Sequence, residues 1–475
     1  MKKKLLIIIP ILIAIIISIF LIINNNKSNN NNSRSNSIEF SEEIIKDNFE
    51  YEQSITNESI EDIYYYSDSY FKESSDKFNE HLRTFSLALT ISFNPAYSKK
   101  VVNYNIENIF NKLEVNNIEY SDLNDFSKDT IGTAIATRTL NKEYDLVVVV
   151  LRGAGYSNEW ESNLDLGTSG NANGFDKASL VVLDRLDKYL SNHNIKKYKL
   201  LVTGYSRSAA VASLVGVHIN NDLDKYNINK DNLFVYAFES PRYADNDSVY
   251  KNIHNVINKN DIVTLVYPEG MGMYHNGVEE NIMINDSIIT KYYLNILSSD
   301  KIVEKGQEYK IKFINDFVSL FPKDRNKYND VSKSIIYIYK LFNNKTSEQK
   351  NKIIKYIKET EIDYDLNTLS NIYTIINSSD TSKVKKAFNT LMKNYDDNYN
   401  KVKSALTKEE YQELKDSIYN VLLYFRPMLQ KEYNNSDMFI NIITFSKNYE
   451  EIFKEHYFSI NFNNCKQLDS YYKMP

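Results

Sequence analysis

Lys199-Leu200-Leu201-Val202-Thr203-Gly204-Tyr205-Ser206-Arg207-Ser208-Ala209-Ala210 is the stretch on which the fold turns. Leu200 to Thr203 reads as a buried strand, Gly204 to Ser208 as a tight turn of small residues, and Ser206 to His218 as a helix. A serine on so sharp a strand-to-helix bend must adopt strained backbone angles, and small residues two positions to either side let strand and helix approach. Gly204 meets the first requirement. Ser208 stands where a second glycine is usual, and Ala209 and Ala210 continue the close contact. The competing reading is an ordinary strand–helix turn.

Outward from this turn the texture is that of alternating strands and helices. Thr133–Leu140 and Tyr144–Leu151 are β-like runs, the second apolar enough to be buried on both faces. A helix is predicted from Phe175 to Leu190, a strand from Leu233 to Phe238 and another from Asn255 to Asn258. Strand and helix alternating at this spacing predict a parallel α/β sheet. Residues 38 to 130 read as helices and short loops, the clearest around Phe78, Leu82, Phe85 and Leu89. Beyond about 286 strand signals vanish and charged helices take over, with apolar stripes such as Val384, Phe388, Leu391 and Tyr395. Capping boxes are predicted at Thr346 with Gln349 and at Thr407 with Glu410.

Composition favours helix-rich architectures. Gly (12) and Pro (7) are scarce among 475 residues, which disfavours turn-rich sandwiches and propellers. The 57 basic and 62 acidic side chains give a net charge of −5, so nothing electrostatic favours a nucleic-acid partner. A single cysteine, Cys465, excludes intrachain disulfides and Cys-based zinc sites. The length exceeds what one core usually serves, so two folded units are expected.

At the amino end, Lys2, Lys3 and Lys4 precede an apolar run from Leu5 to Ile23, about the 20 residues a helix needs to cross a bilayer. An uncleaved transmembrane anchor is expected, since the run exceeds the about 7–15 residues of a signal-peptide core and no small-x-small site follows. The leading lysines place the amino end inside and the bulk of the chain outside the cytoplasm, on the cell membrane, or secreted if the segment is cleaved.

A serine hydroxyl is a poor nucleophile, so the turn at Ser206 demands a histidine base, an acid to orient it and donors for a developing oxyanion. On this kind of sheet the order is Ser, acid, His. Asp261 follows the strand at Asn255–Asn258 and fits the acid. Of six histidines, His81 and His193 precede the serine, His218 rides its helix and His254 starts the strand before Asp261. His275 and His456 remain, and pattern alone does not separate them.

Several blocks together resemble the class 3 lipases, α/β-hydrolases of the fungal triacylglycerol-lipase type, in a bacterial lipase-like branch. They are Val147–Gly153 with Trp160, Asn163 and Leu164; Gly204–Ser208; Phe238-Glu239-Ser240-Pro241-Arg242; Asn258–Pro268; and Tyr274-His275-Asn276-Gly277 with Glu279. The resemblance implies Ser206 as nucleophile, Asp261 as acid and His456 as base, with His275 as the fallback. It implies the backbone N–H groups of Ala154 and Arg207 as the oxyanion hole, and no cofactor or metal. Departures fall at Ala154, Ser208, Glu239 and Ser459; they favour the alternative of a decayed hydrolase fold that displays its helices for binding. Glu239, where relatives tend to have glycine, is expected to pair with Arg207 or Arg242. Arg207 itself is expected to be solvated or paired with a glutamate, or else to attract an anionic head group.

The whole predicts an α/β-hydrolase with a central, mostly parallel sheet, an N-terminal transmembrane helix and a large helical insertion serving as a cap. Its parts are an anchor over 1–23, an Asn/Ser-rich linker over 24–37, the hydrolase core over 38–285, the cap over 286–445 and a C-terminal return to the core over 446–475. The expected substrate is a lipid or other carboxylic ester, the expected partner surface a membrane reached through the N-terminal helix, and no nucleic acid is expected.

Overall fold

The computed structural model describes residues 41–52, 59–93, 104–122, 129–153, 159–267, 269–283, 324–360, 365–433 and 454–473. The expected anchor and linker, and the expected boundaries near 286 and 445, lie outside these residues. Among the described residues no helix is long and apolar enough to cross a membrane.

The amino-terminal part departs from expectation. Where helices and loops were predicted, two strands, β1 (Ile45–Glu52) and β2 (Ser59–Tyr66), pair antiparallel from Ile45 opposite Tyr66 to Glu52 opposite Ser59. Phe49, Tyr51, Tyr64 and Tyr66 are buried and polar residues intervene, a period of two that the many tyrosines obscure. Helix α1 (Glu80–Ser92) begins after Asn79, whose side chain caps the His81 and Leu82 N–H groups. Phe78 therefore precedes the helix, while Leu82, Phe85 and Leu89 are buried along it. Helix α2 (Tyr104–Lys112) leads to β3 (Asn116–Ser121), a strand too short and polar to announce itself.

The predicted β-like runs form β4 (Thr133–Thr139) and β5 (Asp145–Leu151), an antiparallel pair. Then follow α3 (Asn173–Asn192), β6 (Tyr198–Tyr205), α4 (Arg207–Asn221), β7 (Leu233–Phe238), β8 (Ile253–Ile257) and a further unpredicted edge strand, β9 (Val278–Asn281). One sheet of seven strands results, in the order β3-β4-β5-β6-β7-β8-β9, parallel from β5 onward. This is the expected mostly parallel α/β sheet.

Both sheet faces are covered, which is why β5 to β7 read as nearly continuous apolar runs. Helices α3 and α4 pack together, and α4 lies on β6 and β7. The other face meets α1, the β1–β2 hairpin and the C-terminal helix, in a core that includes Leu146, Val148, Val150, Tyr205, Phe238, Phe458, Phe462 and Cys465.

Residues 324–433 form the second compact unit. It contains α5 (Arg325–Asn343), α6 (Ser347–Glu359), α7 (Leu366–Asn377), α8 (Thr381–Leu391) and α9 (Lys408–Tyr433). Both predicted capping boxes form: Thr346 and Gln349 exchange bonds, as do Thr407 and Glu410 at 2.9 and 3.2 Å. The stripe Val384, Phe388, Leu391 and Tyr395 is buried.

The chain then returns to the sheet unit through α10 (Phe458–Leu468), whose Phe462 meets Phe49 edge-on at 5.3 Å. Beyond it His81 stacks on Tyr471 at 3.6 Å and contacts Asp469 at 2.7 Å, tying the segment to α1. Phe462→Ala is expected to destabilise the sheet unit by about 3–5 kcal/mol, the cost of emptying an aromatic site in a packed core. Urea denaturation measures it.

Candidate active site

The sharp bend predicted at Ser206 is present. β6 ends at Tyr205, Ser206 has φ 58° and ψ −125°, and α4 starts at Arg207. Such a conformation costs a residue with a side chain on the order of 1–3 kcal/mol, and the surrounding bonds must hold it. The Ser206 N–H donates to Phe238 O at 2.8 Å, extending the β6–β7 ladder past the strand end. Gly204 is obligatory, since a Cβ there would lie 2.4 Å from the Ser208 carbonyl oxygen. The Ser208 hydroxyl accepts the Tyr205 N–H at 2.9 Å and lies 3.0 Å from the Leu151 carbonyl. It therefore braces the bend and joins it to β5, so the missing second glycine is not a defect.

Three adjacent strand ends supply the remaining parts. Ladder pairing sets Tyr205 beside Phe238 and Phe238 beside Val256, so the residues after β6, β7 and β8 emerge side by side. Asp261 follows β8 and is fully buried; its backbone N–H donates to Asn258 O at 2.8 Å and its Oδ1 accepts the Val263 N–H at 2.9 Å. Its Oδ2 meets His456 Nδ1, and His456 Nε2 lies 2.8 Å from Ser206 Oγ. The contacts require the tautomer with the proton on Nδ1, leaving the Nε2 lone pair for the serine hydroxyl.

His456 arrives from a single helical turn, Lys454–His456, just before α10. A polar scaffold unannounced in the sequence fixes that turn. The Tyr205 hydroxyl donates to His456 O at 2.9 Å and accepts from Asn461 Nδ2 at 2.8 Å. Asn461 also binds Glu455 O at 2.9 Å, and Asn258 Nδ2 reaches Asn461 Oδ1 at 3.1 Å and Glu455 Oε2 at 3.0 Å. Asparagine-rich sequence hides such residues, because most of its asparagines are ordinary surface.

The other histidines are engaged elsewhere. His275 contacts Ser240 O at 2.9 Å and Glu279 at 3.1 Å through its two ring nitrogens, so the structure keeps the fallback base apart from Ser206. His218 meets Asp176, His193 meets Glu119 and His254 meets Ser75 O.

Two charged residues correct the sequence reading. Arg207 is not solvated and is not offered to a head group; the charges of Glu159 and Asp129 both act on it. Its guanidinium is buried and donates to Asp129 Oδ1 at 3.1 Å, Ser162 Oγ at 2.6 Å and Thr130 O at 3.2 Å. Glu239 pairs with neither expected arginine, since Arg242 meets Glu269 at 3.0 Å. Its carboxyl oxygens instead accept the Asn258 N–H, each at 3.0 Å. Burial first, then the neighbouring Asp261 charge, pushes the Glu239 carboxyl well above the usual carboxylate range. The Arg207 N–H is the first of α4, a group that helix bonding leaves without a carbonyl and that suits an incoming anion. Ala154, the other expected donor, lies outside the described residues.

Residues 135–271 match the family model of the class 3 lipases. The matched segment holds Ser206 and Asp261 but not His456. No curated protein is matched by the chain. Among solved structures the chain is similar to the lipase of Rhizomucor miehei in a propeptide complex, at 20% identity and a TM-score of 0.30 over 43% of this chain and 67% of that one. It is similar to a lipase of Rhizopus microsporus var. chinensis, at 19% identity and a TM-score of 0.31 over 43% and 74%. It is also similar to lipase II of Rhizopus niveus, at 19% identity and a TM-score of 0.32 over 43% and 80%.

Gly204→Ala forces the bend open against a backbone oxygen. A loss of about 1–3 kcal/mol is expected, the usual range for overpacking, together with a drop in activity larger than the stability change explains. Thermal denaturation alongside initial rates at low temperature checks both.

Proposed function

We propose that the protein is a serine hydrolase that cleaves carboxylic esters of acyl lipids at the outer face of a membrane. The contact of His456 Nε2 with Ser206 Oγ at 2.8 Å, with Asp261 on the far ring nitrogen, carries this reading, and the class 3 lipase segment supports it. Ser206 Oγ attacks the ester carbonyl while its proton passes to His456 Nε2. The tetrahedral oxyanion is received by the Arg207 N–H and, by the family pattern, that of Ala154. Collapse expels the alcohol, which takes the proton from His456, and leaves an acyl group on Ser206. Water, deprotonated by the same imidazole, then releases the fatty acid. Asp261 holds the ring and stabilises the imidazolium throughout.

The membrane part of the proposal rests on the apolar run Leu5–Ile23 behind three lysines. The cap expected of the helical segment belongs to the proposal too. It rests on the segment's place in the chain, inserted between Asp261 and His456.

Ser206→Ala is expected to abolish hydrolysis of short-chain p-nitrophenyl esters and labelling by a fluorophosphonate probe. Silence of the folded wild-type protein towards that probe would favour the binding-scaffold alternative. His456→Ala should lower kcat by about 10²–10⁴, the range of a general acid–base group, whereas His275→Ala should leave it within a few-fold. Expressed from its own start, the chain should sediment with membranes and resist salt extraction; deletion of residues 1–23 should release it.

A further inference from the structure

The mechanism above makes no use of Glu239, yet the residue is held with care. It follows β7 at φ 50°, a left-handed conformation that glycine adopts freely and a side chain disfavours. It is fully buried, and the backbone N–H of Asn258 is bonded to both its carboxyl oxygens. The Asp261 carboxyl lies within its hydrogen-bonding range. The titratable groups facing it are Asp261, Glu455, Tyr205 and Cys465, none of them a cation. Among the described residues no lysine or arginine pairs with it; Arg207 and Arg242 are committed to Asp129 and Glu269.

Two buried carboxyl groups in hydrogen-bond contact cannot both be ionised without strong repulsion, so one proton is shared between them. The donors decide where it sits. Asp261 receives the Val263 N–H and faces His456 Nδ1, whereas Glu239 has the Asn258 N–H alone.

We propose that Glu239 is a positioning residue of the triad, which donates its carboxyl O–H to Asp261 and so fixes the orientation of the carboxylate that steadies His456. The proposal rests on the triad reading above. It gives a reason for a side chain at a position whose backbone suits glycine. It also turns a departure from the family pattern into part of the machinery.

The upward displacement of Glu239 has a definite sign in stability. A carboxyl raised on folding contributes fully below the ordinary carboxylate range, and that contribution fades as pH rises towards the folded value. Glu239→Gln has no proton to lose. Its melting temperature should gain on the wild type as pH rises from 4 to 8.

Infrared difference spectra of the two proteins at pH 7 should show a protonated-carboxylic-acid carbonyl band in the wild type that Glu239→Gln removes. Glu239→Gly suits the backbone conformation but deletes the donor; kcat should fall about tenfold or more with KM little changed. Glu239→Gln, which restores a donor, should recover most of that loss and should flatten the alkaline limb of the kcat profile. A wild type without the band, or Glu239→Gln falling as far as Glu239→Gly, overturns the role of Glu239. Failure of the fluorophosphonate probe to label Ser206 in the wild type overturns the triad reading instead, and the infrared measurement still reports whether Glu239 is protonated.

Discussion

The close approach of β6 and α4 is the constraint from which the site follows. With the Ser208 carbonyl 2.4 Å from where a Gly204 Cβ would stand, the chain between them can turn only by placing Ser206 in a strained conformation that lifts its hydroxyl off the sheet. The parallel ladder then does the rest. Because Tyr205, Phe238 and Val256 lie in register, whatever follows each strand is delivered to one edge. Ser206, Glu239 and the loop from Asn258 to Asp261 are neighbours for that reason and not through any local affinity. This is the general tendency of open parallel sheets to build sites beyond their carboxyl ends.

The charge balance behind that edge is unusual. Asp261, Glu239 and Glu455 are all buried around Asn258, which binds the last two through its N–H and its side-chain amide. Buried charges ordinarily come with partners of opposite sign, and those here are largely neutral donors. The arginines are placed elsewhere: Arg207 holds Asp129 and Ser162, while the fully buried pair Arg152–Glu159 brackets residues 153 to 158. Asp261 is thus embedded among amides and carboxyls.

Legibility in the sequence followed hydrophobic continuity. The doubly covered strands β5, β6 and β7 are near-unbroken apolar runs, and small residues stand in the turn between β6 and its helix, so the sheet and the bend at Ser206 were readable. Asp261 was readable from its place after β8. His456 was one of two candidates by elimination, and only the family pattern favoured it. What escaped was written in weaker code. β1 buries Phe49 and Tyr51 and β2 buries Tyr64 and Tyr66, but the run Tyr64-Tyr65-Tyr66 blurs the alternation; β3 and β9 are short, polar strands. Tyr205, Asn258 and Asn461 act through hydrogen bonds formed across more than two hundred positions of sequence, which no local pattern encodes. Glu239 was assigned the wrong partners because a charged side chain in sequence suggests the nearest opposite charge, whereas burial and register chose otherwise.

His456 and Ser206 are 250 residues apart, and a whole helical unit is threaded between the acid and the base. Closing so long a loop is entropically slow, and its reward comes only when α10 settles against the hairpin and α1. A chain still being synthesised therefore presents a finished elbow, a finished acid and no base. The three side chains meet only once the final stretch has folded home, so the site is the last part of the sheet unit to be completed.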